Sequence, residues 1–143
     1  MKMTMRMRDA IEIFRSLSAA KASDKPAPVT YGLLIGRNWR AFRDVVSDAE
    51  EARNKLLDKC AAKDGAGKKV TLQNGEIAIS DMDGWLHGNR EIENLKIEVE
   101  IAPIRASLFP ADLEPIISAG LFDLVENEAF DSSEGERDYY DEA

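Results

Sequence analysis

The 143-residue sequence predicts an α+β domain, with amphipathic helices, one of them long, packed on a small three-stranded antiparallel sheet. Three observations lead there. Apolar residues recur at helical spacing over residues 3–20, 30–63 and 110–125. Asn74-Gly75 sits between two short apolar runs, the preferred pair for a two-residue hairpin turn. Residues 95–101 alternate strictly between apolar and charged, as a half-buried strand does.

In the first segment Met3, Met7, Ala10, Phe14 and Leu17 recur three or four residues apart, with Ile11 and Ile13 widening the stripe. The methionines at 1, 3, 5 and 7 are read as a frayed helix start. Pro26 and Pro28 end the segment, because proline cannot occupy a helix interior.

The second segment carries Tyr31, Ile35, Phe42, Val45, Ala49, Ala52 and Leu56, with Thr30 as its cap and Asn38 as a polar residue in the seam. Such a residue fixes register between packed helices. Gly32 and Gly36 weaken the first turns, so the firm helix is expected from Arg37. Residues 30–63 would span about 50 Å, against a diameter of about 35 Å for a compact domain of this size. Part of this helix is therefore expected to protrude or to pack against another subunit, unless a kink at Gly36 folds its start back.

Residues 69–80 read as the hairpin. A two-residue turn places Leu72 opposite Ile77 and Val70 opposite Ile79, with all four apolar side chains on one face. Ser80 with Asp83 resembles a capping box and opens a helix carrying Trp85, Leu86 and Ile92. The strand of residues 95–101 then joins the hairpin as the third strand. Pro110 opens a final helix with Leu113, Ile116, Ile117, Leu121, Leu124 and Val125 inward. Residues 1–126 make one domain, and 127–143 an acidic tail.

Charge is segregated. Glu126 to Ala143 hold eight acids and one base, while residues 1–125 hold 19 acids and 18 bases. A block of like charge repels itself and is poor in apolar residues, so the tail is expected to be disordered. The near-neutral body offers no basic face for phosphates, so direct nucleic-acid binding is not expected. No uncharged apolar run approaches the length of a membrane span, and residues 1–20 lack the apolar centre of a secretory signal.

Candidate chemistry is sparse. Gly65-Ala66-Gly67-Lys68-Lys69 lacks the earlier glycine and the following serine or threonine of a phosphate loop. Asp81 and Asp83 lack the further oxygen ligands of a calcium loop, the twelfth residue from Asp81 being Ile92. His87 has no nucleophile in a catalytic context, and Cys60 reads as a small core residue. No catalytic, metal-ligating or cofactor-binding residue is assigned, and the chain is expected not to be an enzyme. The candidate partner-binding residues are Arg37, Trp39, Arg40, Phe42 and Arg43, since aromatics mixed with arginine mark interaction hot spots. Tyr139 and Tyr140 in the tail join them.

The arrangement resembles a family of small tailed-bacteriophage proteins of unknown function. The matching residues are Ala10-Ile11, Arg15-Ser16-Leu17, Tyr31, Asn38, Glu50-Glu51-Ala52-Arg53, Lys55-Leu56, Lys63-Asp64, Gly67, Ile97-Glu98-Val99-Glu100-Ile101, Ile104 and the segment from Leu113 to Glu126. The resemblance spans residues 6–126. The acidic tail is longer than the family pattern, and Gly84 and Gly88 depart from it. The resemblance implies a phage origin, in the virion or the host cytoplasm, and no catalytic residues. The expected role is contact with a protein partner, self or other, plausible sites being the head-to-tail or tail region of the virion, with a homo-oligomer expected. The alternative is an intracellular inhibitor of a host nucleic-acid-acting enzyme or defence system, using the acidic tail.

Overall fold

The computed structural model describes residues 1–113 and 119–126. Three helices lie wholly within them: α1 (Met7–Ala22), α2 (Val29–Cys60) and α3 (Met82–Asn94). The strands are β1 (Lys2–Arg6), β2 (Lys96–Glu100), β3 (Ile104–Arg105) and β4 (Val125–Glu126). The α+β class and the long helix are as expected. The predicted tail lies outside the described residues.

The sheet differs from the expectation in both membership and size. β1 pairs antiparallel with β2, with Met3 opposite Val99 and Met5 opposite Ile97. The methionines thus begin a strand, and the helix starts only at Met7. The fault lay in the period: Met3, Met7 and Ala10 fit a helix, while Met1, Met3, Met5 and Met7 fit the two-residue repeat of a strand equally well. Lys2, Thr4 and Arg6 face water opposite Glu100, Glu98 and Lys96. The apolar face of this two-stranded sheet packs against the helices, so the one-sided strand predicted over residues 95–101 is present, at Lys96–Glu100.

The hairpin forms apart from that sheet and in another register. Thr71, not Leu72, stands opposite Ile77. The Gly75 N–H donates to Leu72 O, the Leu72 N–H donates to Glu76 O, and Gly75 has φ +86°. The loop therefore holds three residues, with glycine in the left-handed position of a bulge. This one-residue slip divides the apolar set between faces, and Leu72 is left half exposed. The arms meet the chain leaving α2 instead: Val70 N donates to Ala62 O, Ala62 N to Ala78 O, and Ala78 N to Val70 O, at 2.8–2.9 Å. Three backbone segments thus close a ring of hydrogen bonds.

Helix boundaries shift for local reasons. α2 runs through Gly32 and Gly36 without interruption, starting after Pro28 with no side-chain cap from Thr30. α3 is capped by Asp81, whose carboxylate accepts the Gly84 N–H at 3.0 Å. Ser80 instead donates its hydroxyl to Cys60 O, the carbonyl that also receives the Ser80 and Asp81 N–H groups. Gly88 has a packing reason: a Cβ there would lie 2.6 Å from both Leu56 methyls, so glycine lets α3 settle on α2. The final helix does not begin at Pro110, which precedes a turn at 111–112. Nor does it reach Val125: Phe122–Leu124 is a 3₁₀ turn and Val125–Glu126 pairs in parallel with β3. Leu121 and Leu124 are nevertheless fully buried.

The core joins α1, α2 and β2 to the segment after it, through Leu17, Ile35, Phe42, Val99, Ile101, Ile104, Leu121 and Leu124. Asn38 is its one fully buried polar side chain among the described residues. Its Nδ2 donates to Leu34 O and Ala102 O, both at 2.9 Å, and its Oδ1 accepts the Ala102 N–H at 2.8 Å. The side-chain amide imitates a strand neighbour for Ala102 and fixes the sheet's exit against α2.

Candidate functional site

α1 and α2 lie side by side, and Trp39 sits half-buried in the seam between them. Its Nε1–H donates to Ser18 Oγ at 3.0 Å, and its ring lies 5.5 Å from that of Phe14 at a tilt of 32°. Lys21 Nζ stands 4.3 Å from the indole centroid and the Arg43 guanidinium 5.4 Å. Both distances fall within the range of cation–π attraction. The result is an aromatic plate held by α1 and bordered by two cations.

The sequence-derived candidates divide accordingly. Arg37, Arg40 and Arg43 are exposed on α2. Phe42 is fully buried in the core and offers no surface in this structure. Arg37 helps hold the Glu100 carboxyl below its ordinary value, though the larger cause is the hydrogen bond from the Met1 ammonium. Tyr139 and Tyr140 lie outside the described residues. Phe14, Ser18 and Lys21 complete the Trp39 cluster and were missed. Their spacing of four and three residues along one helix face carried the signal.

Two clefts flank this seam. One, about 250 Å³, lies between the three helices over Ile11, Phe14, Val46, Ala49 and Ile92, with Arg15, Glu50, Arg53 and Glu93 exposed around it. It falls below the roughly 300–1,000 Å³ of small-molecule sites. The other, about 450 Å³, opens where α1 turns into α2, beside Lys21, Lys25, Tyr31, Leu33 and Pro110. The Tyr31 hydroxyl is buried with no hydrogen-bond partner among the described residues, and burial raises its pKa.

The remaining polar features have structural duties. Asp64 Oδ1 accepts the Ala66 and Lys68 N–H groups, and Gly67 at φ +81° completes that turn. His87 Nε2 lies 3.6 Å from Glu91 one helical turn away, with both side chains exposed. Asp81 caps α3, and Cys60 is a buried free thiol. Among the described residues no three His, Cys, Asp or Glu side chains converge to hold a metal ion. Among them, too, no helix is long and apolar enough to cross a membrane.

No family model, curated protein or solved structure matches this chain.

Proposed function

We propose that this chain is a non-enzymatic bacteriophage accessory protein acting through protein–protein contacts, as a virion component of the head-to-tail or tail region. The observation that carries this reading is the outer side of α2. It displays Arg37, Arg40 and Arg43 beside the Trp39 plate, with Val29 and Leu33 79% and 68% exposed one to three turns earlier. Aromatic, arginine and exposed apolar groups in one band are the composition of an interaction surface. The resemblance to small phage proteins supports the phage setting. Quantitative mass spectrometry of purified particles of the carrying phage tests it. A fixed copy number against the major capsid protein is expected, and absence from particles overturns the virion role.

A second reading draws on the acidic segment. Eight acids against one base from Glu126 onward would suit an intracellular inhibitor that competes for a basic nucleic-acid channel. Deleting residues 127–143 separates the two readings. Virion incorporation is expected to survive the deletion, whereas salt-sensitive binding to a host enzyme would be lost.

A further inference from the structure

Along the outward strip of α2, a basic block is followed by an acidic one, with Lys55 beyond it. Arg37, Arg40 and Arg43 occupy the first half and Asp44, Asp48 and Glu51 the second, all exposed. Within each block like charges stand three or four residues apart, an arrangement that weakens a solitary helix by about 0.2–0.5 kcal/mol per pair. Arg43 and Asp44 contact one another weakly, at 3.4 Å, and Glu51 faces Lys55 at 3.9 Å. The boundary between the blocks coincides with the midpoint of Val29–Cys60.

We infer that the outer face of α2 pairs with the same face of a second copy of this chain, antiparallel, about a two-fold axis near Asp44. This deepens the contact role proposed above by naming the partner and the surface, and it rests on that reading. The occupant follows from charge complementarity. An antiparallel mate sets Arg40 opposite Asp48 and Arg37 opposite Glu51 on both sides of the axis, as an isologous contact requires. An in-register parallel mate would set like against like at every position, whereas the antiparallel one does so only for Asp44 at the axis, beside Arg43. Because the axis falls at the helix centre, the two helices overlap along their whole length, about 48 Å. That overlap lays the stem of Lys55 over the exposed Leu33 of the other copy, covering apolar surface with methylene groups.

Sedimentation velocity on the full chain, from micromolar to hundred-micromolar concentration, tests the pairing. A dimer is expected that weakens as salt rises from about 0.1 to 1 M, where the screening length falls from roughly 10 to 3 Å. Arg40→Glu and Asp48→Arg, each alone, set like charges together and raise the dissociation constant about tenfold or more. Mixed in equal amounts, the two variants associate again, because each then presents the sign that the other lacks. Recovery in the mixture also shows that both variants fold, and helicity by circular dichroism verifies it independently. A monomer throughout, or a dimer indifferent to salt and to both reversals, overturns the pairing. Particle counting distinguishes the failures: a monomeric chain still found in virions sinks this inference alone. A dimer absent from virions sinks the virion role alone.

Discussion

At Asn38 a single side chain satisfies, and is satisfied by, both backbone groups of Ala102. Asn38 has no exposed surface, whereas Ala102 is half-buried, so the energetics turn on what is left unpaired. Asn38→Ala leaves the Ala102 N–H and C=O without this partner, at up to about 1–3 kcal/mol for each group. Urea denaturation is expected to show a loss of about 1–4 kcal/mol with little change in slope, beyond what an exposed helical Asn→Ala would give. The sequence marked Asn38 as polar within an apolar seam, yet assigned it to register between helices. Its partner is the chain leaving β2, 64 residues away, and no local pattern names so distant an acceptor. Trp39 is similar: its place beside three arginines was visible, whereas Ser18 and Phe14 became its neighbours only through the packing of α1.

Among the elements, the loop at Gly75 shows how one backbone angle redirects a segment. Its φ of +86° places residue 75 where side chains with a Cβ are strained. Gly75→Ala is expected to cost about 1–2 kcal/mol, read as a lower thermal midpoint, and to speed amide exchange at Leu72 and Glu76. The dipeptide Asn74-Gly75 announced a turn correctly but did not choose between two and three loop residues, because both use it. The choice is made by the chain leaving α2, where Ala62 completes the ring with Val70 and Ala78. Helix existence was legible for the same reason that strand pairing was not. The stripe along α2 is a property of neighbours in sequence, whereas β1 and β2 meet across some 95 residues. The methionine alternation was present to be read, and two competing periods fitted it.

For the molecule as a whole, stability is bounded on both sides of neutrality by two titrating groups, Asp58 and Tyr31. Asp58, in the last turns of α2, has its carboxyl held low by the hydrogen bond and charge of Lys69. A lowered folded value means that this contribution is present above the ordinary 3.8 and disappears as pH falls through the lowered one. Burial raises the Tyr31 hydroxyl. That contribution is whole below the ordinary 10.0 and is lost as pH rises through the raised value. Thermal midpoints across pH are expected to fall at both ends. Lys69→Met should flatten the acid limb, and Tyr31→Phe the alkaline one. At neutral pH Tyr31→Phe should cost nothing, since its hydroxyl has no partner among the described residues to lose. The pairing of Asn38 with Ala102 also has a consequence in time. On the ribosome the first helices emerge well before the residues that close them. At about 5–20 residues per second, the 64 residues separating the two take roughly 3–13 seconds to translate. Throughout that interval the nascent α1 and α2 lack their polar clasp, and the methionine strand lacks its mate. Slowing synthesis between residues 40 and 100 lengthens this exposure and should lower the yield of native chain.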